Sequence, residues 1–329
     1  MPITVAMYDK SFEHIGKRLD ALGLDIKVVT FSKDGQYEID GRKVAPAEVD
    51  VDYMWLTSHL NLDNWRDKAF DLCLATRSIK VLQTFNAGLD HPFYKKLSDK
   101  GVRICNSSAQ GVAIAEYTLG QVMAVLQPIE LQRELQRRKE WKITPFREIS
   151  QTRWLIVGFG PIGQEIAKRV KAFGASVDVV RRSPQESPHV DRMGRTADLA
   201  AFTREADVIV IACPLNADTR GMVDAHFFAN VKQGAILVNI ARGGLIDDAA
   251  LIAALDSGRL STAILDVFHQ EPLPLDNAFW EHPKVRLTSH TSFSGNGSRG
   301  RWDQLFLDTL PRYMKGESLP FEVNPRDIV

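Results

Sequence analysis

The chain has 329 residues, 44% of them apolar, with 41 Lys or Arg set against 41 Asp or Glu. That is the composition of a globular protein long enough for two domains, and a formal net charge of zero gives no bulk reason to expect nucleic-acid or membrane binding. Cys73, Cys105 and Cys213 are odd in number, far apart and without CxxC or Cys/His spacing, so reduced cytoplasmic thiols are expected and a metal site is not. Residues 1–10, MPITVAMYDK, lack a basic region followed by a long apolar stretch, and neither a signal peptide nor a membrane span is expected.

In chain order, residues 3–7 read as a strand, 12–22 as a helix and 26–30 as a strand. Asp34-Gly35 and Asp40-Gly41 follow as turn signals. Residues 53–56 read as a strand, 62–74 as mostly helical, and 79–84 as a strand opening into Asn86-Ala87-Gly88-Leu89-Asp90. Pro92 opens a helix to about Ser98, and residues 102–105 form another strand. This alternation predicts a first α/β lobe with a parallel sheet. Residues 112–126 read as a long, largely apolar helix with Glu116 on a face that otherwise looks buried, broken at Pro128. The charge run over 131–142 reads as a solvated helix.

Residues 153–183 then carry the most informative pattern. Trp154-Leu155-Ile156-Val157 reads as a strand buried on both faces, followed at once by Gly158-Phe159-Gly160-Pro161-Ile162-Gly163. Ile162, Ile166, Val170 and Phe173 recur at helical spacing, Gly174 stops the helix, and residues 176–180 form the next strand. Inside a complete βαβ unit the glycine pattern predicts a dinucleotide site, with the pyrophosphate at the helix N-terminus. The second strand ends in Arg181-Arg182-Ser183, with no carboxylate to accept from a ribose 2′-hydroxyl. Two guanidiniums and a hydroxyl suit a 2′-phosphate, which favours NADP over NAD. Further strands are expected over 207–212, ending at Cys213-Pro214, and over 235–240, ending at Ala241-Arg242. Two more follow over 262–265, ending at Asp266, and over 285–288, ending at Ser289-His290. Helices are expected over 248–255 and 301–313. Ligands of an open parallel sheet sit beyond strand carboxyl ends, which gathers the 158–163 loop, Arg181, Pro214, Arg242, Asp266 and His290. The 86–90 loop sits similarly in the first lobe, and a cleft between the lobes would bring the two sets face to face.

Arg242, Glu271 and His290 are the candidates for chemistry. Arg242 lies between a buried strand and two glycines and can pair a carboxylate in bidentate fashion. His290 stands at a strand end, and Glu271 lies in a proline-stiffened loop. A His–Glu pair holds one tautomer and keeps an imidazole protonated near neutral pH.

Over about residues 50 to 295 the chain resembles the D-isomer-specific 2-hydroxyacid dehydrogenase family, which includes glyoxylate/hydroxypyruvate reductases. The resemblance rests on residues 86–90, Ala115-Glu116, the 158–163 fingerprint, residues 239–247, Ala250-Leu251, Ala254-Leu255 and Gly258-Arg259-Leu260. It continues through residues 265–268, Glu271-Pro272-Leu273-Pro274 and Thr288-Ser289-His290. It implies two Rossmann-like or flavodoxin-like doubly wound domains with the active site in the cleft between them. Residues 1–104 plus 296–329 would form the substrate domain and 105–295 the NAD(P)-binding domain, with crossings near 105–108 and 293–299. It implies that Arg242 binds the substrate carboxylate and carbonyl. His290 would be the acid/base, Glu271 would orient it and raise its pKa, and the amides of Ala87 and Gly88 would grip the carboxylate. Asp266, Ile240 and Ala241 would lie near the nicotinamide, and Pro214 and Thr219 along the cofactor's ribose side, beside Cys213. A homodimer through the long helix after Cys105 is implied as well.

Trp55, Leu56 and Thr57 are expected to face the substrate side chain. The pocket is small if Trp55 points in, and bulkier acids fit if it packs in the core. Departures from the family pattern are Arg181 for an acid, Ser289 for a proline, His91-Pro92 for an apolar–Asp pair, and Gln127-Pro128 for a basic pair. Glu271 argues against the formate dehydrogenase branch, which carries glutamine there. The leading expectation is an NADP-preferring reductase of small 2-keto acids. The alternatives are a dehydrogenase of another small anion, of the phosphite type, and a dinucleotide-sensing protein like the corepressors built on this fold.

Overall fold

The computed structural model describes residues 2–328, which divide into two compact units. The first comprises the residues up to Ala109 together with those from Asn296 onward, and the second is Gln110–Gly295.

The first unit runs β1 (Ile3–Tyr8), α1 (Asp9–Asp20), β2 (Ile26–Phe31), β3 (Tyr37–Ile39), β4 (Arg42–Val44), β5 (Asp50–Trp55), α2 (His59–Leu62), α3 (Arg66–Ala75), β6 (Ser78–Gln83), α4 (Pro92–Asp99) and β7 (Arg103–Cys105). Its sheet has the order β4-β3-β2-β1-β5-β6-β7. The five longer-range strands are parallel, in the flavodoxin-like doubly wound order, while β3 and β4 add an antiparallel hairpin at the β2 edge. That hairpin was not expected. Its strands are three residues each, too short to show alternation, although Asp40 and Gly41 take the left-handed φ values of 51° and 74° that a two-residue hairpin turn requires. The helix expected over 62–74 is two helices, α2 and α3, parted by Asn64 at φ 52°.

The second unit runs α5 (Gly111–Leu126), α6 (Ile129–Arg137), β8 (Arg153–Val157), α7 (Pro161–Ala172), β9 (Ser176–Val180), β10 (Arg192–Gly194), α8 (Leu199–Thr203), β11 (Val208–Ile211), α9 (Ala225–Ala229), β12 (Ala235–Asn239), α10 (Asp248–Asp256), β13 (Leu260–Leu265) and β14 (Val285–Leu287). The final helix, α11 (Ser298–Met314), belongs to the first unit, where Phe306, Leu307 and Leu310 pack with Val5, Met7, Ile15, Tyr53 and Val81. The second sheet is all parallel, in the order β10-β9-β8-β11-β12-β13-β14. Its strands are buried on both faces. Trp154, Ile156, Val208 and Val210 pack with residues of α5 and α7, and Leu155, Val157, Ile209 and Ile211 pack with residues of α9 and α10. Two faces to bury demand the unbroken apolar runs seen in the sequence.

The first boundary falls at Ala109/Gln110, not at 104/105. β7 pairs with β6, Cys105 bridges to Glu322, and Asn106 N and Ser107 N donate to Phe321 O and Asn86 O. Those bonds hold residues 105–107 in the first unit. The helix break at Pro128 turns α6 by 57° from α5. Glu116, expected on a buried face, is exposed and pairs with Arg169 at 3.3 Å. Among the described residues, no single helix is long and apolar enough to cross a membrane.

Candidate active site and dinucleotide cradle

Strand order places the sequence motifs. The order reverses between β8 and β11, and the loops after these two strands flank that switch point. Gly158 follows β8 at φ 100°, and a Cβ there would stand 2.7 Å from the Ala212 carbonyl and Cys213 N. A Cβ on Gly163 would meet Gly158 O at 2.5 Å, whereas one on Gly160 would project into open space. Two glycines therefore permit close backbone packing and the middle one leaves room beside the N-terminus of α7, where Pro161 occupies the first turn. Phe159 is buried in the core, while Pro161 and Ile162 are half-buried.

At the tip of β9 the Arg181 amide donates to Gly194 O, extending the ladder into β10. The strand β10, three residues long, escaped the sequence reading. Asp178 on β9 is fully buried between Arg153 (3.1 Å) and Arg192 (2.6 Å), which fixes the strand that carries Arg181. Arg181 Nη1 is buried and, among the described residues, has no hydrogen-bond partner. A buried guanidinium nitrogen without an acceptor is costly, and an anion there would satisfy it. Arg182 and Ser183 beside it are exposed. After β11, Thr219 Oγ1 donates to Pro214 O at 2.7 Å and closes that loop on itself, and the half-buried Cys213 lies 3.9 Å from Met222 Sδ. Burial pushes the Cys213 thiol up to about 11, so it stays protonated. These residues fit a dinucleotide phosphate backbone with a further anion at Arg181.

β12, β13 and β14 are neighbours, and their carboxyl ends carry the other candidates. Beyond β12, Ile240 is buried, Ala241 and Arg242 are half-buried, and Arg242 Nη1 donates to Ala241 O at 2.7 Å. Gly243 is required by space: a Cβ on it would fall 2.0 Å from Phe268 C, so only glycine lets the Arg242 loop lie against the loop leading to Glu271. His290 Nδ1 and Glu271 Oε2 are 2.7 Å apart, and Glu271 Oε1 accepts from Phe268 N at 3.0 Å. Both side chains remain a little over one-third exposed, reachable by a substrate. With Nδ1 on Glu271, Nε2 is the nitrogen left for chemistry. His290 sits at φ 48°, a left-handed conformation that side chains other than glycine adopt at a cost of about 1–2 kcal/mol.

Asp266, past the end of β13, is tied to the histidine loop. Its carboxylate is fully buried and turned into the histidine loop, where it accepts from Thr288 Oγ1 (2.6 Å), Thr291 N (2.8 Å) and Ser292 N (3.0 Å). Its backbone carbonyl accepts from His290 N at 2.8 Å. Nothing in the sequence marked Thr288 or Tyr117, whose oxygens lie 2.6 Å apart, as part of this network.

In the first unit, the loop after β6 is pinned by its carbonyls and side chains. Asn106 Nδ2 donates to Ala87 O, Ser107 N to Asn86 O, and Asn86 Nδ2 to Tyr94 OH. The amides of Ala87 and Gly88 take no partner among the described residues, which leaves two adjacent donors free. Trp55, expected at the substrate, is instead a core residue, stacked on Phe306 with ring centroids 4.2 Å apart. Leu56 is fully buried and Thr57 nearly so. The size limit that an inward-pointing indole would impose on the substrate falls away. His91 caps α4, with Nδ1 accepting from Phe93 N. Among the described residues, no group of three or more His, Cys, Asp or Glu side chains could hold a metal.

Comparison with known proteins follows the same lines. Residues 119–292 match the sequence model of the D-isomer specific 2-hydroxyacid dehydrogenase NAD binding domain. Glyoxylate/hydroxypyruvate reductase A of Salmonella paratyphi B is 31% identical over 259 residues, covering 76% of this chain and 82% of that protein. D-3-phosphoglycerate dehydrogenase of Bacillus subtilis is 32% identical over 229 residues, covering 68% of this chain but only 43% of the longer relative. A D-isomer specific 2-hydroxyacid dehydrogenase family protein from Aeromonas salmonicida superposes with a TM-score of 0.77 at 26% identity, over 99% of this chain and all of that one.

Proposed function

The chain belongs to the D-isomer specific 2-hydroxyacid dehydrogenase family, and we propose that it reduces small 2-keto acids of the glyoxylate and hydroxypyruvate type with NADPH as preferred cofactor. The His290–Glu271 pair at 2.7 Å, on a strand end next to the Arg242 loop, carries the assignment of chemistry. The unpartnered Arg181 Nη1 carries the preference for a 2′-phosphate.

When bound, the reduced nicotinamide supplies a hydride for C2 of the keto acid. Arg242 binds the substrate carboxylate and faces the carbonyl oxygen as negative charge develops there. Doubly protonated His290 donates its Nε2 proton to that oxygen, giving the hydroxyl, and retains its Nδ1 proton on Glu271. In the oxidation direction, neutral His290 takes the hydroxyl proton at Nε2. The free amides of Ala87 and Gly88 suit a carboxylate. The 158–163 loop would hold the dinucleotide, with Pro214, Thr219, Ile240 and Ala241 as further residues that would contact it.

Steady-state reduction of glyoxylate and hydroxypyruvate, with NADPH and NADH side by side, tests both parts. Faster turnover with NADPH is expected. Tight NADPH binding without turnover of any 2-keto acid would favour the sensor alternative. Charged hydrogen bonds are worth about 1.5–3 kcal/mol, so Arg181→Ala should weaken NADPH binding about 10- to 100-fold and leave NADH binding unchanged. Fluorescence titration of each cofactor reads this directly, and equal weakening of both would retire the 2′-phosphate assignment.

The protein is also proposed to be a homodimer. Trp141 and Ile143 are almost fully exposed, Ile129, Leu131 and Phe146 are exposed nearby in sequence, and the same unit has a hollow of about 220 Å³ lined by Met123, Leu126, Phe146, Ile149 and Phe173. Exposed apolar side chains and a hollow of mixed lining, which also includes Gln127, Arg147, Glu148 and Ser150, on one unit suit a two-fold contact. Sedimentation of the wild type should give the dimer mass and that of Trp141→Glu the monomer mass. A monomeric wild type would refute the dimer.

A further inference from the structure

We propose that Tyr117, a residue of α5 outside the strand-end loops, is a positioning residue for His290, acting through Thr288 and Asp266. The proposal rests on the reading of His290 as the proton donor.

The hydroxyl protons can be assigned by elimination. Thr288 Oγ1 donates its one proton to Asp266 Oδ1 at 2.6 Å. Thr288 therefore has only lone pairs to offer Tyr117, whose hydroxyl lies 2.6 Å away and must be the donor. The chain runs in one direction, from the Tyr117 hydroxyl to the Thr288 hydroxyl to the Asp266 carboxylate. Burial, with the Asp266 charge adding to it, pushes the Tyr117 hydroxyl up to about 12, so it keeps its proton across the working pH range.

Asp266 is the point where this chain meets the catalytic loop. The same carboxylate that accepts from Thr288 accepts from the amides of Thr291 and Ser292, the two residues after His290. Asp266 O accepts from the amide of His290 itself. His290 needs such holding because its backbone is left-handed at φ 48°. A strained residue persists only where its surroundings over-determine it. Without the Tyr117 donor, the Thr288 hydroxyl is held by Asp266 alone among the described residues. That hydroxyl can then rotate away from Asp266, and the loop gains a second arrangement in which Nδ1 leaves Glu271. The ring of Tyr117 packs partly into the core beside α7, so phenylalanine would preserve the packing and remove only the donor.

Three variants test this: Tyr117→Phe, Thr288→Val and Thr288→Ser. Tyr117→Phe and Thr288→Val should each lower kcat for hydroxypyruvate about tenfold, with KM changed less than twofold, because a lost orientation acts on the reacting geometry and not on substrate affinity. Thr288→Ser keeps the hydroxyl and should retain most of the wild-type kcat. The double variant Tyr117→Phe/Thr288→Val should be no slower than Thr288→Val alone, since both cut one chain. A second readout needs neither substrate nor cofactor. Long-range ¹H–¹⁵N spectra of the free protein should show a single His290 tautomer, protonated at Nδ1 in its neutral form, in the wild type and in Thr288→Ser. In Tyr117→Phe the same resonances should broaden or shift toward the mixed pattern of a mobile imidazole. An unchanged imidazole spectrum with unchanged kcat in Tyr117→Phe would overturn the proposal, as would additive losses in the double variant. If the wild type turns over no keto acid while the His290 spectrum still responds to Tyr117→Phe, the coupling stands and the reductase reading fails.

Discussion

Replacing His290 by alanine is expected to lower kcat for keto-acid reduction by about three orders of magnitude, the usual worth of a positioned general acid. The structure shows why the loss should be confined to chemistry. His290 is more than one-third exposed, and its loop is held by backbone amides and by Asp266, not by its ring. Removing the imidazole should leave the loop and the dinucleotide cradle standing, so NADPH affinity and melting temperature should stay near the wild type. Glu271→Gln should cost less, about tenfold, because the amide still reaches Nδ1 but no longer carries the charge that pairs with an imidazolium. The pH profile of kcat separates the roles. The His290→Ala variant should lose the limb that reports the proton donor, and a variant that retained both rate and profile would retire the acid/base assignment.

Arg242→Ala should reduce kcat/KM by about three orders of magnitude through two losses at once, the bidentate hold on the carboxylate and the charge facing the developing oxyanion. Arg242→Lys should recover only part of this, since an ammonium cannot reproduce the guanidinium fork. The Gly158–Gly163 loop lies on other strands, so cofactor affinity should be nearly unchanged. Equal loss of cofactor and substrate binding would show that Arg242 supports the fold of its loop instead of holding the substrate. A control sits next to it. Gly243→Ala would force a Cβ into the Phe268–His269 backbone, and its damage should appear as lost stability together with lost activity.

How far the sequence reached depends on where the determining physics lies. The parallel strands were legible because each must bury two faces, which writes a continuous apolar run such as Trp154-Leu155-Ile156-Val157. The glycine pattern was legible because Gly158 and Gly163 are demanded by local contacts within a few residues or one strand away. His290 and Glu271 were identified from type and place, and the structure adds their contact of 2.7 Å. The three-residue strands β3, β4 and β10 were missed because so short a strand is selected by its neighbour's open edge and not by its own pattern. Trp55 was ambiguous for a similar reason: an aromatic at a strand end suits either a pocket or a core, and only Phe306, far along the chain, decides for the core. The partners of Asp266 were not legible, because Thr288, Thr291 and Ser292 lie on a loop that nothing in sequence ties to it.

The small hairpin β3–β4 bears on how the chain behaves in a crowd. A doubly wound sheet ends in strands whose outer backbone groups have no mate, and such a rim can recruit other chains in the manner of amyloid. Here β3 pairs with the carboxyl end of β2, at Thr30 and Phe31, and the rim beyond it, β4, is only three residues long. It bears Arg42 and Lys43, the latter bound to Asp34 and Glu38. The rim of the hairpin is thus short and heavily charged, which disfavours edge-to-edge self-association there at the cost of a few residues that take no part in the chemistry.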